Sequence, residues 1–328
     1  MTDTEVLRCA VLDDYQDAAL RFADWGPLTC RTGTRVEPRV FTRHIAERDA
    51  LAEAIGDCEI VVAMRERTRF DAELIGLLPK LRLLVTTGGR NASIDLAAAR
   101  ARGIPVCCTR SVTTGTSEHT WALIMALARN IPAEVAAFRE GGPWQVGVGA
   151  DLAGKSLGLV GLGRIGARVA RVAQAFEMRV QAWSQNLTQA RCAEVGVAHA
   201  DSLAALLETS DFVSVHLVLG DRTRGLIGAD ALWRMKPTAF LVNASRGPIV
   251  DEAALIDALR ARRIAGAGVD VFDHEPLPPD HPLRGLDNLV GTSHIGYVTR
   301  DAYTTYWHDV VEDVASWLDG APIRVLNG

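Results

Sequence analysis

Val160-Gly161-Leu162-Gly163-Arg164-Ile165-Gly166 is the stretch whose reading decides the fold. The apolar run Ser156-Leu157-Gly158-Leu159 leads into it, and Ala167-Arg168-Val169-Ala170-Arg171-Val172-Ala173 continues from it with the apolar spacing of a helix. Strand, tight glycine turn and helix in that order form the context in which G-x-G-x-x-G reads as a dinucleotide site. Gly161 permits the turn, Gly163 lets the backbone approach a pyrophosphate, and Gly166 lets the helix pack close to the strand. The unpaired N–H groups and positive dipole end of the new helix then face the phosphates, with Arg164 and Ile165 at the helix start.

Working outward, the same alternation recurs along the whole chain. Apolar runs at 7–12, 59–64, 81–85 and 104–108 read as buried strands, with helical patterns at 50–55 and 94–100 among them. Past the glycine turn, further strands read at 179–183, 212–215, 239–242 and 265–269, and helices at 203–207 and 252–260. A long amphipathic helix is expected over 118–128, a Pro- and acid-rich loop over 273–282 and a closing helix over 309–318. Strands alternating with helices imply parallel βαβ units, and runs lacking strict alternation imply a sheet covered on both faces. The expected fold class is α/β, with two doubly wound parallel-sheet domains and ligands in a cleft between them.

Composition narrows the function classes. The 328 residues suffice for two domains, and 48% hydrophobic with 23% charged is ordinary for a soluble globular protein. A net charge of -5 with no basic block argues against nucleic-acid or membrane-surface partners. Cys9, Cys30, Cys58, Cys107, Cys108 and Cys192 form no C-x-x-C pair and read as reduced thiols of a cytoplasmic protein; no metal site is expected. The opening Met1-Thr2-Asp3-Thr4-Glu5 is polar and acidic, so no signal peptide is expected.

An NAD site normally carries Asp or Glu about 20 residues past the glycines, at the end of the second strand. Here that strand ends in Ser184, Gln185 and Asn186, all neutral. These side chains can hydrogen-bond either ribose hydroxyls or a 2′-phosphate, so NAD and NADP both stay open. Three charged groups follow later strands. Arg246 sits in Asn243-Ala244-Ser245-Arg246-Gly247-Pro248, and a planar guanidinium there suits a carboxylate or keto-acid oxygen. Glu275 lies in Asp270-Val271-Phe272-Asp273-His274-Glu275-Pro276, and His294 in Ser293-His294-Ile295-Gly296. Histidine is the usual general acid/base near neutrality, and a carboxylate on one ring nitrogen stabilises its imidazolium. His119 and His216 compete with His294 for that role.

Together, residues 160–166, 242–252 (VNASRGPIVDE), 268–276 (GVDVFDHEP) and 293–296 resemble the D-isomer-specific 2-hydroxyacid dehydrogenase family, and the similarity extends over essentially the whole chain. The resemblance implies an NAD(P)-dependent oxidoreductase that moves a hydride between the nicotinamide and C2 of a 2-hydroxy or 2-oxo acid. It implies that Arg246 orients the substrate and that Glu275 and His294 form the acid/base pair. It further implies that Asp270 faces the nicotinamide carboxamide and that His216, Ala244 and Ser245 line the cofactor. A Rossmann dinucleotide-binding domain, 110–294, would be inserted into a flavodoxin-like substrate domain, 1–109 and 295–328. Members are usually homodimers, with residues 120–149 forming an arm in which Trp121, Phe138 and Trp144 supply contact area.

Two departures from the family pattern stand out. His216-Leu217-Val218 lacks the usual proline, and the substrate loop reads Gly88-Gly89-Arg90-Asn91-Ala92-Ser93 in place of G-x-G-x-D-N. The N–H groups of Gly88, Gly89 and Arg90 are expected to hold a carboxylate. Arg90 and Arg65 add charge that favours a larger or doubly anionic acid, the alternative being internal ion pairs with Glu66 or Asp95. A dinucleotide-sensing, corepressor-like binding protein on the same fold is the competing functional reading.

Overall fold

The computed structural model describes residues 4–31 and 33–328; residues 1–3 of the polar opening stretch lie outside the described residues. The chain forms two compact units, one running to Val112 and resumed at Thr299–Gly328, the other Thr113–Val298.

The first unit is a parallel sheet of β1 (Glu5–Val11), β2 (Thr34–Val40), β3 (Ile60–Ala63), β4 (Leu83–Thr86) and β5 (Val106–Cys108), in the order β2-β1-β3-β4-β5. That is the flavodoxin-like order. β3 and β4 are buried at every position, which is why they read as uninterrupted apolar runs. The closing helix is longer than expected, Arg300–Leu318, and packs on this sheet. Asp95 and Thr299 cap the helices that follow them by accepting from Ala98 and Ala302 N–H groups, each cap stabilising by about 1 kcal/mol.

The second unit is a parallel sheet of β6 (Ser156–Val160), β7 (Arg179–Trp183), β8 (Ala198–His199), β9 (Phe212–Val215), β10 (Phe240–Asn243), β11 (Gly266–Val269) and β12 (Leu289–Gly291). Its order is β12-β11-β10-β9-β6-β7-β8, the Rossmann arrangement with one further strand, and the order reverses between β6 and β9. Successive side chains of β6 enter opposite cores: Leu157 and Leu159 join one buried cluster and Val160 another. The helix Arg164–Ala175 buries Gly166, Ala167, Val169, Ala170 and Ala173. The helix Thr114–Ala128 packs on β10, β11 and that helix through Trp121, Leu123, Ile124 and Leu127. The fold is therefore α/β, a Rossmann unit and a flavodoxin-like unit, both doubly wound.

β2, β8 and β12 are strands beyond those expected from the sequence. All three are edge strands, paired on one side only. β2 carries Pro38 and alternates in exposure, as an edge tolerates. Among the described residues no single helix is long and apolar enough to cross a membrane; Thr114–Ala128 and Ile131–Glu140, bent at 65°, pass that test only as a pair.

Candidate active site

Because every strand of the seven-stranded sheet is parallel, the loops after their C-terminal ends share one edge. Across that edge the sheet order places Ser184 after β7, the glycine turn after β6, His216 after β9, Ser245 and Arg246 after β10, Asp270 to Glu275 after β11, and His294 after β12. Residues scattered over 130 positions of sequence thus come to one side of one unit.

The glycine turn fits a dinucleotide pyrophosphate. Gly161 has φ +107, and a Cβ there would meet the His216 carbonyl oxygen at 2.6 Å. A Cβ on Gly166 would stand 2.3 Å from the Gly161 carbonyl oxygen, so strand end and helix touch backbone to backbone. A Cβ on Gly163 would meet nothing within 4 Å, and no side chain caps the helix that starts at Arg164. Its first-turn N–H groups therefore have no side-chain cap, and an anion is favoured at such a helix start. Gly161 N–H donates to the Trp183 carbonyl at 2.8 Å, tying the turn to the end of β7. There Ser184 is half-buried, Gln185 and Asn186 are exposed, and Gln185 Nε2 donates to the Arg222 carbonyl at 2.9 Å. Arg191 stands beside the turn, its Nε 3.5 Å from the Leu162 carbonyl and its guanidinium paired with Glu194 at 2.7 Å.

The loop after β10 is shaped by Asn243, which the sequence reading did not single out. Its buried side chain accepts from Ser245 N–H and donates to the Arg246 carbonyl, each at 3.0 Å. Ser245 Oγ donates to the Leu217 carbonyl, joining this loop to the one after β9. Arg246 is half-buried, in extended backbone, and donates through a terminal guanidinium nitrogen to the Ser245 carbonyl at 2.7 Å. A Cβ on Gly247 would lie 2.1 Å from the Phe272 carbonyl carbon, so only glycine lets the β10 loop close onto the β11 loop.

The β11 and β12 loops bring Glu275 and His294 into contact. Glu275 Oε2 lies 2.6 Å from His294 Nδ1, and Oε1 accepts from Phe272 N–H at 2.9 Å. The side chains are 24% and 14% exposed, so the pair is screened from solvent on most sides. A carboxylate at this distance accepts a proton carried on Nδ1, which leaves Nε2 as the ring's second polar atom. Tyr297 packs edge-on to the imidazole at 5.3 Å. His294 has φ +54, a left-handed conformation that its surroundings must hold.

The competing histidines are otherwise engaged. His216 Nε2 lies 2.9 Å from Ser214 Oγ, and burial pushes its imidazole down to about 4, so it is neutral near pH 7. His119 contacts Thr292 and Asp270. Asp270 is 1% exposed and directs its carboxylate at the β12 loop, accepting from Thr292 Oγ1 and from the N–H groups of Ile295 and Gly296. Ala244 is buried.

In the flavodoxin-like unit, the N–H groups of Gly88 and Gly89 are already donated to Thr109 Oγ1 at 2.7 Å and Ser111 Oγ at 3.0 Å. Arg65 lies over Gly88, in the space a Cβ there would take, and its Nε is 3.7 Å from Glu66 Oε2. Arg90 is exposed. Among the described residues no group of three or more His, Cys, Asp or Glu is placed to hold a metal ion.

Residues 121–296 match the model of the D-isomer specific 2-hydroxyacid dehydrogenase NAD binding domain. The chain is 38% identical over 280 residues to a D-3-phosphoglycerate dehydrogenase of Archaeoglobus fulgidus, a match covering 84% of this chain but 53% of that one. It thus spans about half the length of that relative. It is 37% identical over 323 residues to a glyoxylate reductase of Korarchaeum cryptofilum, covering 89% of this chain and 96% of that one. The structure of a phosphoglycerate oxidoreductase from Vibrio cholerae o395 superposes with TM-score 0.90 at 32% identity, covering 96% of this chain and 100% of that one. This chain belongs to the D-isomer-specific 2-hydroxyacid dehydrogenase family. The family consists of oxidoreductases of hydroxy and oxo acids that bind NAD or NADP at a Rossmann fold.

Proposed function

We propose that this protein is an NAD(P)-dependent oxidoreductase that moves a hydride between the nicotinamide and C2 of a 2-hydroxy or 2-oxo acid. The observation that carries this reading is the 2.6 Å contact of His294 Nδ1 with Glu275, on the sheet edge that also carries Arg246 and the glycine turn. When bound, NAD(P)H supplies the hydride that reduces C2. Arg246 grips the substrate carboxylate and carbonyl oxygen through its planar guanidinium. His294 hands a proton from Nε2 to the carbonyl oxygen in reduction and takes it back in oxidation. Glu275 orients the ring and stabilises its charged form.

The cofactor is NAD or NADP. Gly161, Gly163, Arg164, Ile165 and Gly166 hold the pyrophosphate, and Ser184, Gln185 and Asn186 the adenosine ribose. His216, Ala244, Ser245 and Asp270 border the remainder. For the acid, Gly88 and Gly89 contribute loop shape, since their N–H groups are in use, while Arg65 and Arg90 contribute charge. The cofactor role belongs to residues 110–294 and the outer substrate contacts to residues 1–109 and 295–328.

Exposed apolar side chains cluster along 131–149, with Phe138 at 77% and Trp144 at 87% exposure. They support a homodimer, which light scattering would report at twice the 35.4 kDa of one chain. Six unpaired cysteines support a reducing compartment such as the cytoplasm.

The test replaces His294 with Ala and follows cofactor absorbance with a panel of 2-oxo acids, using NADH and NADPH in parallel. Turnover is expected to fall by about 10²–10⁴-fold. Unchanged turnover removes His294 from the role. Cofactor binding by the parent protein with no turnover of any acid favours the sensing function instead.

A further inference from the structure

The proposed chemistry leaves one polar cluster of the Rossmann unit without a role in proton or hydride transfer. Asp270, directly after β11, is almost wholly buried, yet its carboxylate is richly supplied with donors. Oδ1 accepts from Thr292 Oγ1 at 2.6 Å and Ile295 N–H at 2.8 Å, and Oδ2 from Gly296 N–H at 2.8 Å. These bonds land at 292, 295 and 296, on both sides of His294. Within the same loop, His294 N–H donates to the Thr292 carbonyl at 3.1 Å.

His119 completes the cluster. It lies on the helix Thr114–Ala128, whose packing on β10 and β11 fixes its position. Its Nε2 is 2.8 Å from Thr292 Oγ1 and 3.3 Å from Asp270 Oδ1. A threonine hydroxyl has a single proton. At 2.6 Å that proton goes to Asp270, so Thr292 Oγ1 must accept from His119, and His119 carries its proton on Nε2. The chain of donation runs His119 to Thr292 to Asp270 and has one consistent direction. Burial pushes the Asp270 carboxyl up, but hydrogen bonds from His119, Thr292 and the Ile295 N–H outweigh it and hold the group below the usual carboxylate range.

We propose that His119, through Thr292 and Asp270, is a positioning residue for catalysis: it clamps the loop that presents His294. The inference rests on the proton-transfer role proposed above for His294. The left-handed backbone of His294 persists only where its surroundings over-determine it, and the clamp supplies that constraint on both flanks. A catalytic group displaced by a fraction of an ångström loses rate steeply, whereas ground-state binding of the cofactor is little affected. Asp270 accordingly acts on the loop through three hydrogen bonds, and Oδ2, with one bond from Gly296, keeps a lone pair for the cofactor role proposed above.

The experiment compares Thr292→Val, His119→Leu and His119→Gln, the last retaining a side-chain N–H donor, with His294→Ala beside them. Readouts are kcat, KM, the cofactor dissociation constant from nicotinamide fluorescence, the solvent isotope effect on kcat and the melting temperature. Thr292→Val and His119→Leu are expected to lower kcat by about 10- to 100-fold with an enlarged solvent isotope effect. The cofactor dissociation constant should stay within about twofold, and His119→Gln should recover part of the loss. The proposal is overturned if both variants keep parental kcat while His294→Ala is inactive. It is equally overturned if Thr292→Val and His119→Leu weaken cofactor binding in step with their loss of rate, since the cluster would then act on the cofactor and not on the loop. Should His294→Ala itself retain turnover, the reading of His294 fails and the clamp fails with it. A loss of melting temperature with normal kcat in the folded fraction marks the cluster as structural alone and also overturns the proposal.

Discussion

Replacing Glu275 with Gln tests the acid/base pair while preserving its shape. Glutamine keeps one carbonyl oxygen for the Phe272 N–H or for His294 Nδ1, but removes the negative charge that faces the imidazolium. The contact is short, 2.6 Å, and both side chains are mostly buried, at 14% and 24% exposure. A hydrogen bond to a charged group contributes about 1.5–3 kcal/mol. Residual solvent screening places this pair toward the middle of that interval. A loss of about 2 kcal/mol felt in the transition state corresponds to roughly a 30-fold fall in kcat. The assay is steady-state reduction of the best 2-oxo acid with saturating cofactor, alongside a fluorescence titration for cofactor affinity. The expected pattern is a kcat loss with the cofactor dissociation constant unchanged, because Glu275 is assigned to the imidazole and to no part of the dinucleotide. A kcat within about threefold of the parent, with intact folding, would refute the reasoning, because a charged bond of this length cannot be idle if it stabilises the imidazolium during turnover.

Three other outcomes follow from particular residues. Ser184→Asp places a carboxylate at the end of β7, where it accepts from ribose hydroxyls and repels a 2′-phosphate; the ratio of kcat/KM with NADH to that with NADPH should rise by about tenfold or more, and an unchanged ratio would show that Ser184 does not border the ribose. Gly247→Ala drives a Cβ into the Phe272 carbonyl and must part the β10 and β11 loops, so activity and melting temperature should both fall; parental activity would contradict the close approach. His216 is held at about 4 by burial, below its unfolded value of 6.5, so the unfolded chain binds more protons between those pH values and stability rises with pH across that window. Melting temperature should therefore drop as pH falls from 6.5 toward 4, by a term on the order of 3 kcal/mol at most, and His216→Gln should flatten that limb relative to the parent.

Much of this architecture can be read from residues alone, for identifiable reasons. β3, β4, β6, β9 and β10 are covered on both faces, so their side chains form apolar runs that stand out from the surrounding sequence. β2, β8 and β12 have one neighbour each, are incompletely buried and carry no such run, and Pro38 in β2 speaks against a strand until its edge position is known. The glycine turn is legible because its function is a local backbone requirement. The contacts that give it chemical surroundings are not local. Glu275 meets His294 across 19 residues, Asp270 meets Thr292 across 22, and His119 meets Thr292 across 173. The parallel sheet, by stacking strand ends on one edge, and the helix Thr114–Ala128 packed on it bring them together. Likewise Thr109 and Ser111 are unremarkable in sequence, yet they take up the Gly88 and Gly89 N–H groups.

Hydride transfer to C2 of a 2-oxo acid is read directly with NADH or NADPH carrying deuterium at the transferable position of the nicotinamide. The parent protein is incubated with each member of a 2-oxo acid panel, and the products are read by proton and deuterium NMR. The expected product is a 2-hydroxy acid with deuterium at C2 and a proton from solvent on oxygen, formed by the parent and lost in His294→Ala. Cofactor that binds tightly while every acid returns unreduced, or deuterium found anywhere other than C2, would contradict it.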